Sequence, residues 1–149
     1  MVNNEQAKQG IMIGELNRNE VSYLNKIFGE ITLHEVKLKS PKSILKFKRA
    51  LGARDGESNE FLKTTVECLK PKDFNELLED KTDEGKAKIA EITNSINEEY
   101  NRVAQEYMNE IVKIETDPIE LDDLFAISEK NDGINLGLVE YISGKFSNE

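Results

Sequence analysis

Residues Asp83–Glu115 read DEGKAKIAEITNSINEEYNRVAQEYMNEIVKIE, a stretch without proline whose only glycine, Gly85, lies in its first turn. Apolar residues recur at Ile89, Ile92, Ile96, Tyr100, Val103, Tyr107, Ile111 and Ile114, in steps of 3, 4, 4, 3, 4, 4 and 3. Those steps average to the helical period. The pattern predicts one unbroken amphipathic helix about 50 Å long at 1.5 Å per residue. Such a helix is long for a chain of 149 residues. It is expected to be the central packing spine, with Val112 widening the stripe near its end and part of the stripe open to self-association as a homo-oligomer.

Upstream of this segment the chain predicts shorter helices. Asn17 or Asn19 caps one that carries Val21, Leu24, Ile27 and Phe28 and stops at Gly29. Residues 30–39 give the one convincing strand signal, because Ile31 and Leu33, then Val36 and Leu38, alternate with polar residues. The apolar phase slips between Leu33 and Val36, which predicts a bulge or a twisted edge. A lone strand leaves its backbone groups unpaired, so it requires residues 10–14 or another subunit. Ser40-Pro41 opens a helix with Ile44, Phe47 and Leu51 inward and Gly52 at its end. Arg54-Asp55-Gly56-Glu57 reads as a turn. Ser58 caps the next helix, which carries Phe61, Leu62, Thr65, Val66 and Leu69, and a short helix through Phe74, Leu77 and Leu78 follows.

Downstream, Asp117-Pro118-Ile119-Glu120 is a helix start, Asn131-Asp132-Gly133 a stop, and Leu136 to Ile142 a last helix that frays after Gly144. The expected fold is mostly α: a flexible lead-in over 1–15 and a single helical domain over 16–149, with one long central helix and a single strand or small β-hairpin near 30–39.

Charge is distributed unevenly. Residues 1–54 hold 10 Lys/Arg against 5 Glu, while residues 55–149 hold 10 Lys/Arg against 24 Asp/Glu. This polarity implies either intramolecular complementarity or two differently charged binding faces. The overall net charge of −9 argues against general nucleic-acid binding. No stretch approaches the roughly 20 apolar residues of a membrane span, and Met1 to Gly10 lacks the apolar core of a signal peptide. The expectation is a cytoplasmic protein that is not secreted.

Catalytic equipment is sparse. His34 is the only histidine and Cys68 the only cysteine, which leaves too few Cys and His ligands for a usual zinc site on one chain, and no Cys–His or Ser–His catalytic pair is assigned. Cys68 lies in an apolar run and is expected to be buried and inert. Asp122-Asp123 and Asn131-Asp132-Gly133 lack the ligand alternation of a calcium loop. Gly52-Ala53-Arg54-Asp55-Gly56 lacks the Lys-Ser/Thr of a phosphate loop. No catalytic, cofactor or metal residues are therefore assigned. The feature with functional content is basic: Lys42, Lys46 and Arg49 stand at i, i+4 and i+7, opposite Ile44, Phe47 and Leu51. They form either a solvated helix face or a docking stripe for an acidic partner.

The segment Val36-Lys37-Leu38-Lys39-Ser40-Pro41-Lys42-Ser43-Ile44-Leu45-Lys46-Phe47, the short helices after it, the long charged helix and the acidic run Leu121–Ile142 together resemble the tail assembly chaperones of tailed bacteriophages, in architecture and composition. The resemblance implies a small, acidic, mostly helical protein of the bacterial host cytoplasm. It would bind aggregation-prone tape-measure or tail-tube subunits without catalysis. An acidic helical inhibitor, such as an immunity or anti-defence protein occupying a basic site on a nuclease or toxin, is the alternative expectation.

Overall fold

The computed structural model of the chain describes residues 10–148. The fold is mostly α: six helices make up 68% of it, beside one two-stranded antiparallel sheet. In chain order the elements are β1 (Met12–Asn17), α1 (Arg18–Glu30), α2 (Pro41–Leu69), α3 (Phe74–Glu79), α4 (Asp83–Met108), β2 (Ile111–Thr116), α5 (Leu121–Lys130) and α6 (Leu136–Phe146). The chain, expected as a single domain over 16–149, gathers into two compact units. One comprises the chain up to Asp55 together with Ile111 onward, and the other is Gly56–Glu110.

The first unit holds all of the fully buried apolar side chains among the described residues. β1 pairs with β2 in a register that sets Gly14 opposite Ile114 and Leu16 opposite Val112. Their inner face rests on α1, α2, α5 and α6. Phe28 meets Phe47 edge-on with ring centroids 5.2 Å apart, and Phe47 lies 4.9 Å from Phe146, so three helices share one aromatic centre. Phe146 also explains Gly14, where a Cβ would stand 2.4 Å from the Phe146 ring. Asn17 caps α1 in a reciprocal capping box with Glu20, as one of the two sequence alternatives requires. The other carboxylate oxygen of Glu20 accepts the Tyr141 hydroxyl, which ties β1, α1 and α6 at one residue.

Several expectations are corrected here. Residues 31–39 are not a strand. Ile31, Leu33, Val36 and Leu38 do pack against the core, but the backbone turns at His34-Glu35, with Glu35 at φ 64°. Side chains of α5 and of its C-cap, Asn131, satisfy the main chain there. Asn131 both accepts from the Thr32 N–H and donates to its C=O, and the buried Asp123 accepts the N–H groups of Lys39 and Ser40. The phase slip seen in the sequence is this turn. The strand lies instead at Met12–Asn17, and its first four residues fall in the expected flexible lead-in over 1–15; residues 1–9 of that lead-in lie outside the described residues.

The long helix stops at Met108, with Asn109 as its C-cap. Ile111 and Ile114 belong to β2, where period two replaces period 3.6: Val112, Ile114 and Thr116 are buried, and Ile111, Lys113 and Glu115 exposed. Four of its six residues are β-branched, which favours a strand. The Asp117-Pro118 start signal is displaced to Leu121, because the N–H of Ile119 donates to the Phe146 C=O and its side chain is fully buried in that extended link. The expected turn at 54–57 is absent and α2 runs through it. Asp55, which would otherwise bond its own backbone, accepts from Asn25 instead.

The second unit contains the remainder of α2, α3 and α4. Thr82 caps α4 by accepting the Gly85 N–H, and Asp80 accepts both the N–H and the hydroxyl of Thr82, which holds the Asp80 carboxyl below its ordinary range. Phe61 stacks on Tyr107 with centroids 3.8 Å apart. The stripe Ile89, Ile92, Ile96, Tyr100, Val103 and Tyr107 is half-buried throughout, and Gly85 is the only buried residue of α4. The expectation of a buried spine is therefore corrected: a helical hairpin covers each member on one side only. Cys68 is exposed, contrary to expectation, since its neighbours Val66 and Leu69 take the half-buried side of α2.

Candidate functional site

Helix α2 starts at Pro41, whose fixed φ suits the first helical position. Ile44, Phe47 and Leu51 are completely buried against the aromatic centre. The 3.6-residue period then forces Lys42, Lys46 and Arg49 outward, and all three are exposed on one face, as the sequence spacing requires. Leu45 sits among them and is 55% exposed, a large apolar side chain that the sequence pattern did not single out. Pro41, Lys42, Leu45, Lys46 and Arg49 line a shallow hollow of about 390 Å³.

Part of the basic block is spent internally. Lys39 pairs with Asp122, Lys46 lies 3.2 Å from Asp117, and Arg54 donates to the Lys113 C=O at 3.4 Å. These ties run from the basic first third of the chain to its acidic last quarter. The sequence left open whether the charge polarity was intramolecular complementarity or two faces, and within this unit it is complementarity. The unit carries 13 Lys/Arg against 15 Asp/Glu, whereas Gly56–Glu110 carries 7 against 14. The acidic excess therefore resides in the helical hairpin. Lys42 and Arg49 have no ionic partner among the described residues.

A second hollow adjoins this face. Lys46, Arg49, Ala50 and Ala53 of α2 form one wall, and Glu115, Thr116 and Asp117 at the end of β2, with Ile11, form the other; it encloses about 580 Å³. The Thr116 hydroxyl is buried there without a hydrogen-bond partner. Sequence reasoning missed this groove because it placed Ile111–Glu115 in a helix. The alternation of Val112, Ile114 and Thr116 with Lys113 and Glu115 was the signal available. Elsewhere in the unit, Leu121, Phe125, Leu136 and Val139 line an apolar hollow between α5 and α6, where Leu136 is 66% exposed.

His34 is highly exposed at its turn, 3.8 Å from Glu35. Among the described residues no group of three or more His, Cys, Asp or Glu side chains is placed to hold a metal ion. No helix among them is long and apolar enough to cross a membrane. Comparison with family models, curated proteins and solved structures finds no match to this chain.

Proposed function

We propose that this chain is a non-enzymatic protein-binding protein that docks an acidic surface of its partner through Lys42, Leu45, Lys46 and Arg49 on α2. The observation that carries this reading is Leu45. An exposed leucine ringed by cations, two of them without an internal partner, is the composition of a contact patch with an apolar centre and a charged rim.

The architectural resemblance supplies the partner class: a phage tail assembly chaperone or related phage structural or adaptor protein, bound to tape-measure or tail-tube subunits in the host cytoplasm. The half-buried stripe of α4 supports self-association as a further contact. The acidic helical hairpin favours the second reading, an inhibitor that lays Gly56–Glu110 over a basic site.

Co-expression with a phage tape-measure subunit tests the first reading, with the parent compared to Lys42→Glu/Lys46→Glu/Arg49→Glu. The parent is expected to hold the partner soluble at low salt and to release it as salt rises, because exposed charges are screened over about 10 Å at 0.1 M. The triple variant is expected to stay folded and lose the partner. Equal partner recovery by both proteins would remove α2 from the interface.

A further inference from the structure

The outer edge of β2 is built to receive another strand. In an antiparallel pair, alternate residues turn their main-chain groups toward the partner strand or away from it. Three contacts identify the outward set. The N–H of Asn17 donates to Glu20, Lys145 donates to the C=O of Glu15, and Arg54 donates to the C=O of Lys113. Residues 13, 15 and 17 of β1 and 111, 113 and 115 of β2, which face one another in the register, therefore point outward. On β2 the N–H groups of Lys113 and Glu115 therefore face away from β1, and no bond from them outside the β1–β2 ladder is found among the described residues.

Helix α2 runs alongside that edge. Arg54 meets Lys113 at one end and Lys46 meets Asp117 at the other. Four residue steps along the chain, about 13 Å at 3.3 Å each, separate the two ties. Between them lies the groove of about 580 Å³, within the roughly 300–1,000 Å³ of ligand clefts. Ala50 and Ala53 form its helix wall, and their small side chains leave the room. A sheet edge left open is a pairing template that proteins ordinarily cover or block. Here Arg54 occupies one carbonyl through a long hydrogen bond, and the neighbouring donors stay open.

We infer that this groove takes an extended acidic segment of a partner protein, which adds to the edge of β2 as a third strand. The inference rests on the reading of α2 as a docking face and gives that partner its conformation and charge. Main-chain carbonyls of the segment accept from Lys113 and Glu115, and one of its N–H groups takes over the Lys113 C=O from Arg54. Carboxylates at every second residue lie on one face of the added strand; one meets Arg49, and another takes the place of Asp117 on Lys46. Glu115 and Asp117 keep the strand wall negative, so the segment's carboxylates belong on the α2 side.

Fluorescent hexapeptides of alternating Glu and Val provide the probe, with binding read by anisotropy and by amide NMR of the intact chain. Strand addition uses only every second peptide amide. N-methylation of one alternate set is therefore expected to abolish binding, while methylation of the other set leaves it within about twofold. Lys113 and Glu115 amides are expected to shift and gain protection. Ala53→Trp, at an exposed helix position, fills the groove and abolishes binding while circular dichroism stays unchanged. Lys46→Gln/Arg49→Gln weakens it about tenfold, the scale of two exposed ion pairs, and Lys130→Gln, at the exposed end of α5 and outside the groove, changes it by less than about twofold. Absence of binding at millimolar peptide, equal effects of the two methylated sets, or shifts confined to residues outside β2 and α2 would each overturn the inference. Loss of the tape-measure partner in the Lys42→Glu/Lys46→Glu/Arg49→Glu variant alongside such a negative result would leave the docking face standing without the strand; retention of that partner would remove both.

Discussion

At the residue scale, two glycines of similar appearance in the sequence have opposite meanings. Gly14 lies under the Phe146 ring, so Gly14→Ala drives a methyl into a fully buried aromatic side chain. A loss of about 1–3 kcal/mol is expected, the usual cost of overpacking. Gly29 lies within α1 with no atom close to where its Cβ would be, and Gly29→Ala is expected to gain about 0.5–1 kcal/mol through helix propensity. Urea denaturation of both variants checks the contrast, and equal effects would mean that Phe146 is misplaced. Tyr141 gives a pH signature. Its phenol is pushed up to about 12 by partial burial first, then by its hydrogen bond to Glu20 and the charge of that carboxylate. The folded state holds this proton where the unfolded chain, with an ordinary value near 10, releases it. Stability linked to Tyr141 is therefore intact below pH ~10 and falls as pH rises toward ~12. Absorbance titration at the phenolate band should show one late tyrosine, absent in Tyr141→Phe.

At the element scale, the same apolar residue type carries different weight in β2 and α4. Ile114 is 1% exposed, whereas Ile96 is half-buried. Ile114→Asp places an unpaired charge inside the first unit, and an expected cost of several kcal/mol would unfold a domain of marginal stability. Ile96→Asp keeps access to water and is expected to cost less than half as much by thermal melting. Equal losses would show the α4 stripe to be covered, by another chain if light scattering of the parent also reports an oligomer. The sequence pattern alone made these two isoleucines equivalent, since both fit one continuous helical period. Their separation lies in the run of β-branched residues from Ile111 and in the pairing of β2 with a strand nearly a hundred residues earlier. The starts of α1, α4 and α6 were legible because their caps are local: Asn17 with Glu20, Thr82 with Gly85, and Asn135 with Leu138.

At the scale of the whole molecule, the two units differ in what holds them. The first has sixteen buried apolar side chains and the aromatic centre, while Gly56–Glu110 has no fully buried apolar side chain. Local stability follows buried apolar contact, so native-state hydrogen exchange is expected to open Gly56–Glu110 at lower free energy than Leu16, Val112 or Leu124. Uniform protection would mean that the hairpin is covered in solution. The sequence by itself determined the helical class, the positions of most helices, and the outward face of Lys42, Lys46 and Arg49, because periodicity, capping and the start at Pro41 act within a few residues. Only the tertiary structure decided that Met12–Asn17 and Ile111–Thr116 form the sheet, that residues 31–39 are held by Asn131 and Asp123 instead of a strand partner, and that α2 leaves a groove beside an open strand edge. Each of these depends on which distant groups satisfy a backbone N–H or C=O, and that pairing is fixed by the folded chain as a whole and not by the residues on either side.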